Sequence, residues 1–172
     1  RENARQIRDV ITTEMWEQIN SLYWTLLESD SFWDQPPQEQ LRDIRRGCQL
    51  FYGVTDATLS RDLSWQFSRL GRLIERADKT TRFLDVASYL PSDADEVAAA
   101  SSDHLHWSAI LKSCSALGAF RAVQRQISAK GVIDFLLFSP QFPRSVHYCV
   151  ERVDVSLHRI SGTPRGTFSN KA

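Results

Sequence analysis

The chain has 172 residues, 42% of them apolar and 24% charged, enough for a single domain with a proper core. Lys plus Arg and Asp plus Glu both number 21. That balance argues against nucleic acid or an anionic membrane surface as the main partner, and no apolar run approaches the roughly 20 residues of a membrane span.

Apolar spacing predicts a first helix over residues 2–28, with Ala4, Ile7, Ile11, Met15 and Leu22 as its stripe and Val10 at the edge. Glu14 falls inside that face on the wheel, so a fixed Arg or hydrogen-bond partner is expected for it. A loop over residues 29–37 leads through Asp34 and Pro36-Pro37 into a second helix, with Leu41, Ile44, Cys48 and Phe51 inward and Gly53 as its stop. Thr55 to Ser60, rich in capping side chains, should lead into the central helix over residues 63–90. There Leu63, Phe67, Leu70, Ile74, Ala77, Thr81 and Leu84 form an apolar stripe. Beside it run Gly71, Asp78, Arg82 and Asp85, with Glu75 at the outer edge, while Arg69, Arg72 and Arg76 point away toward solvent or a partner.

Pro91 and the run through Ser102 read as a loop between helices. A helix over residues 103–126 follows, with Trp107, Ile110, Leu111, Cys114, Leu117 and Phe120 inward. Residues 132–138 are apolar on nearly all sides and should be deeply covered. The last helix, opened by Phe142-Pro143, carries Val146, Val150, Val153, Leu157 and Ile160 as a stripe and stops at Ser161-Gly162; residues 162–172 are expected to be a loose tail. No period-2 strand pattern occurs. The expected fold is all-α, a bundle of five to six helices, some of them long.

Chemical signatures are few. Cys48, Cys114 and Cys149 lack any CxxC spacing and read as buried, reduced thiols of a cytoplasmic protein. No Glu-x-x-His, GxSxG, GxxxxGK[ST] or GxGxxG occurs, so no cofactor is expected. His147, Glu151, Asp154 and His158 recur at i, i+4, i+7 and i+11 on the last helix. That line could hold a divalent ion with a partner helix, but it sits about 110° from the apolar stripe at about 100° per residue, and a row of helix-stabilising pairs is the favoured reading. The distinctive feature is the charged seam of the central helix. An ordinary salt-bridged face is the plain reading of it; the alternative is a site where Arg holds a carboxylate and acids hold an ammonium group.

A resemblance adds to this. Arg1-Glu-Asn-Ala-Arg5, Glu14-x-Trp16-Glu17-x-x-Asn20, Thr55-Asp-Ala-Thr58, Arg69-Leu-Gly-Arg72-x-x-Glu75-Arg-Ala-Asp78 with Leu84-Asp-Val86, and Phe142-Pro-Arg-Ser-Val146 are similar, in order along nearly the whole chain, to the alpha-E domain family. The resemblance implies a bacterial, cytoplasmic, all-helical protein of uncharacterised biochemistry. It also implies company: an ATP-grasp ligase-like protein and a transglutaminase-like protease, hence a role in making or modifying a peptide. Carried onto this chain, the charged motif falls on Arg69, Arg72, Glu75, Arg76, Asp78, Arg82 and Asp85, with Arg5 and Glu14 on the first helix and Arg144 before the last. Family members usually begin with an earlier copy of the central helix, so the chain, which opens without Met, is expected to be roughly the C-terminal two-thirds of a longer protein. Three functions follow as expectations. The first is an accessory module for the ATP-grasp enzyme. The second is an enzyme using Glu75 with Glu14 or Asp78, less favoured for this chain alone. The third is a homo-oligomeric scaffold using the arginine row.

Overall fold

The structure, a computed structural model, describes the backbone of residues 1–27, 30–88 and 96–166 and the side chains of residues 1–27, 32–87 and 103–166. Among the described residues every regular element is a helix: α1 (Glu2–Gln6), α2 (Thr13–Leu27), α3 (Asp30–Trp33), α4 (Pro37–Thr58), α5 (Leu63–Ser88), α6 (Glu96–Ser113), α7 (Leu117–Val123), α8 (Ala129–Phe138) and α9 (Val146–Ser161). The fold is all-α. No described helix is long and apolar enough to cross a membrane. The chain divides into two compact units, Arg1–Trp65 and Gln66–Ala172.

In the first unit the expected single opening helix is broken. The α1 helix ends at Gln6, and a turn closed by Val10 N–H and Ile11 N–H on the Ile7 carbonyl intervenes. Thr12 then restarts the helix by accepting from Met15 N–H (3.2 Å). A hydroxyl cap before a β-branched turn outcompetes the continuous wheel. The break resets the register, so Ile7 and Val10 are exposed while Met15 is buried. Arg8 lies over the Trp16 ring (5.5 Å), and Arg1 over Tyr23 and Trp24 (4.7 and 4.8 Å).

The α2 helix packs on α4, where Gln18 Nε2 donates to the Gly47 carbonyl (3.2 Å). A Cβ at Gly47 would meet Leu22 Cδ1 at 2.7 Å, so a larger residue there requires the end of the Leu22 side chain to shift. Pro37 stands at the start of α4, as the Pro-Pro pair predicts. That helix runs through Gly53 and absorbs Thr55 to Thr58, which are its last turn and not a lead-in. Its expected inward side is corrected too: Leu41 and Cys48 are exposed, whereas Thr55, donating to the Phe51 carbonyl, is buried. Asp62 caps α5 by accepting from Ser64 N–H and Trp65 N–H.

The second unit holds the larger core. Ala87 of α5, Trp107, Ile110, Leu111 and Cys114 of α6 and the residue after it, Phe120 of α7, and Val132, Phe135 and Leu136 of α8 form one cluster with Ala116 and Phe142. Phe135 meets Phe120 edge-on (5.5 Å) and Phe142 at a tilt (5.0 Å). The joint expected over residues 91–102 is partly helix: α6 starts at Glu96, and residues 89–95 lie outside the described ones. The helix expected over 103–126 divides at Ser115, whose φ of 53° is left-handed. Ala116 N–H bonds the Leu111 carbonyl (2.7 Å) and Ser115 N–H the Lys112 carbonyl (2.9 Å), a Schellman closure with serine in the usual glycine position. The α8 helix starts earlier than expected, capped by Ser128, and Phe138 at its end is exposed.

Ser145 caps α9, accepting from Tyr148 N–H (3.1 Å) while its hydroxyl donates to the Ser139 carbonyl; it is fully buried. Gly162 ends α9 in the left-handed conformation. The first residues of the expected loose tail are held: Thr163 bonds the His158 ring, and Arg165 reaches Glu151 and Asp154.

Candidate functional site

The α5 helix presents a different face from the one its apolar spacing suggests. Its buried residues are Gln66, Leu73, Thr80 and Ala87, one every seventh position. Phe67 and Ile74, expected inside, are 56% and 53% exposed, and Leu63 is exposed as well. At about 100° per residue the buried face is turned by about 80° from the expected stripe. The cause is polar. Two carbonyls ahead of α9 lack helical partners, and α5 supplies donors to both: Arg76 Nη1 to Pro143 O (3.0 Å) and Thr80 Oγ1 to Arg144 O (2.8 Å). The stripe of α9 is corrected in the same way. Val150 and Leu157 are exposed, while Cys149 and Ser156 are buried.

The seam residues separate accordingly. Arg69, Arg72 and Arg76, expected to point toward solvent or a partner, are half-buried, and Arg76 grips the α8–α9 connection. Glu75 is exposed. Arg82 Nε donates to Asp78 Oδ2 (2.8 Å), one turn back on the same helix. That hydrogen bond holds the Asp78 carboxyl below its usual range and raises Arg82 above its own. Asp85 and Arg144 are exposed, and the carbonyl of Arg144 is what α5 binds. Arg5 and Glu14 belong to the first unit. Glu14 is exposed in the first turn of α2, not set in a core stripe; at a helix N-terminus its charge is favourable without an arginine partner.

The C-terminal half of the seam borders an open groove of 640 Å³ within the second unit. Leu84, Trp107, Ile133 and Leu137 form its apolar walls, and Thr81, Arg82 and Asp85 its polar edge. A second groove, of 530 Å³, is lined by Phe138, Val146, Val150, His147, Glu151 and Asp154. In the acid–histidine row of α9, Glu151, Asp154 and His158 are engaged within the structure. His158 Nε2 pairs with Asp154 (3.3 Å) while its Nδ1 meets Thr163, and Arg165 approaches Asp154 (3.6 Å) and Glu151 (4.0 Å). Among the described residues no three His, Cys, Asp or Glu side chains converge to hold a metal ion. Of the thiols, Cys114 and Cys149 are buried as expected, and burial pushes both pKa values up; Cys48 is exposed.

Sequence reasoning passed over three residues of α9: Tyr148, Arg152 and Arg159. Arg152 lies over the Tyr148 ring (5.2 Å). Burial, then the charges of Arg152 and Arg159, hold the Arg69 guanidinium below its ordinary range, with Tyr148 opposing and Arg72 adding a smaller push. The signal was present as a second Glu-Arg pair, Glu151-Arg152, repeating Glu75-Arg76.

A family model described as a predicted alpha-helical domain with a conserved ER motif, Alpha-E, matches residues 1–172, the whole chain. The chain belongs to the Alpha-E family. No curated protein and no solved structure matches it. Two Glu-Arg pairs occur in this Alpha-E chain. Each arginine is half-buried, Arg76 against the α8–α9 connection and Arg152 over Tyr148.

Proposed function

We propose that this Alpha-E protein is a cytoplasmic accessory module that holds a peptide-like acceptor for an ATP-grasp ligase during peptide synthesis or modification. The observation that carries the reading is the 640 Å³ groove at the C-terminal half of α5, a volume in the range of small-ligand sites. Its apolar walls suit apolar side chains. Arg82 at the edge suits a terminal carboxylate, bound bidentately, and Asp85 an ammonium group. Asp78, the present partner of Arg82, is 44% exposed, so an incoming carboxylate exchanges one exposed ion pair for another at little cost. The family's association with ATP-grasp and transglutaminase-like proteins, implied by the motif resemblance, supports the choice of partner.

Calorimetric titration with short apolar peptides tests this. Peptides with a free C-terminus should bind saturably, amidated ones more weakly, and Arg82→Glu should abolish binding without unfolding the protein. Absence of saturable binding for all of them would overturn the reading. A second reading, self-association, is favoured by the exposed Phe67 and Ile74 of α5; light scattering of the protein alone at rising concentration separates it from the first.

A further inference from the structure

Residues 139–145 turn the chain so that α9 packs on α8 within the second unit. The groove of 530 Å³ along that junction is walled by Leu137 and Phe138 of α8 and by Val146 and Val150 of α9, with His147, Glu151 and Asp154 on its polar side. Phe138 and Val150 leave 64% and 57% of their surface to water. A single exposed apolar residue is ordinary in a folded protein; several gathered along one concave surface mark a place for a partner. Leu157, two turns beyond Val150 on α9, is exposed as well and prolongs the row.

The polar side is acidic even after its internal partners are counted. Glu151 and Asp154 stand three residues apart on α9, and one guanidinium serves both: Arg165 Nη2 lies 4.0 Å from Glu151 Oε1, and Arg165 Nε 3.6 Å from Asp154 Oδ2. Both separations exceed hydrogen-bond length, and all three side chains are about half-exposed, so this pairing contributes little. Asp154 also meets His158 Nε2 (3.3 Å), a ring that is cationic only when protonated. Two carboxylates against one permanent cation leave a negative charge over. Arg165 shows, too, what this side accepts. Its two nitrogens reach different carboxylates one turn apart, a match that a planar guanidinium makes and a compact ammonium does not.

We propose that the α8–α9 groove docks a peptide segment of a partner protein in which arginine is flanked by large apolar side chains. The apolar side chains cover Phe138 and Val150, and the incoming arginine takes the position between Glu151 and Asp154 that Arg165 holds. Arg165 is then a competitor within the chain, and displacing it exchanges one exposed ion pair for another. Apolar anchors supply the affinity of such docking and the charges its selectivity. The groove is distinct from the one at Arg82, although Leu137 borders both, and it needs neither a terminal carboxylate nor a terminal ammonium group.

Fluorescence anisotropy of the 172-residue chain with a labelled peptide of about ten residues, built from leucine, alanine and arginine and blocked at both ends, tests the proposal. Blocking removes the terminal groups that the Arg82 groove would hold, so failure here and failure of the free-carboxylate titration are separate results. Saturable binding that weakens as salt rises is expected, and the same peptide with glutamate in place of arginine should bind at least ten-fold more weakly. Glu151→Lys should weaken the arginine peptide at least ten-fold and Val150→Ser several-fold; both side chains reach the surface, and circular dichroism checks that the variants fold. Arg165→Ala should tighten binding about two- to five-fold, the worth of one exposed pair. No saturable binding, equal binding of the glutamate peptide, or unchanged affinity in any of the three variants would overturn the proposal. Self-association that Val150→Ser abolishes, without peptide binding, would also overturn it and give the groove to a second copy of the chain.

Discussion

Leu73 and Ile74 are neighbours on α5, and the orientation of that helix assigns them opposite roles. Leu73 is 4% exposed and Ile74 53%. Truncating a buried leucine costs about 2–5 kcal/mol, the loss of transfer energy plus the cavity left behind. Leu73 lies outside the main core cluster of the second unit, so the lower part of that range, about 2–3 kcal/mol, is expected. Ile74→Ala gives up a half-exposed side chain worth about 1 kcal/mol and regains a few tenths through the helix preference of alanine, for a net loss of about 0.5 kcal/mol. Urea unfolding followed by far-UV circular dichroism gives both values, and the slope should be unchanged. The apolar stripe read from spacing alone makes the opposite forecast, with Ile74 inside. A loss for Ile74→Ala as large as that for Leu73→Ala would refute the orientation of α5.

Ser115 holds a left-handed φ of 53°, so Ser115→Gly should stabilise the protein by about 1 kcal/mol in the same unfolding assay. Gly53 lies inside α4, and a Cβ added there would meet nothing within 4 Å, so Gly53→Ala should also stabilise, by about 0.5–1 kcal/mol; destabilisation would mean that the helix stops there after all. Cys48 should react quickly with a thiol reagent in the native protein, while Cys114 and Cys149 react only on unfolding. Because burial raises the pKa of both buried thiols, their contribution to stability is full below the ordinary thiol pKa and is lost as pH rises through their higher folded values. Asp78 has a depressed pKa through Arg82, so the contribution of this pair is present above the ordinary carboxylate pKa, about 4, and is lost as pH falls through the folded value. Arg82→Gln should raise the Asp78 pKa in an NMR titration.

The helices themselves were largely legible. Pro36-Pro37 marked the start of α4, the spacing from Trp107 to Cys114 named the inward side of α6, and Ser161-Gly162 marked the end of α9. Facing was harder. Apolar periodicity assumes that a helix turns its most apolar side inward, and α5 and α9 break that rule where Arg76 and Thr80, on the other side of α5, donate to the backbone carbonyls of Pro143 and Arg144. The break after α1 was missed for a related reason: one hydroxyl cap at Thr12 starts a new helix, and Glu14 moves from an apparent core site to an exposed first turn while Met15 stays inside as expected. The seam was partly legible. Asp78 and Arg82 at i, i+4 pair as the spacing implies, whereas the proximity of Arg69 to Arg152 and Arg159 depends on two helices far apart in sequence and has no local signature.

The most direct test of the functional account is size-exclusion chromatography with light scattering on this protein mixed with an ATP-grasp ligase of the kind proposed as its partner. A joint peak with the summed mass, stable to dilution and reduced by Arg82→Glu, is the predicted result. Two separate peaks at every ratio would contradict the accessory role, and the mass of this protein's own peak would show whether it associates with itself instead.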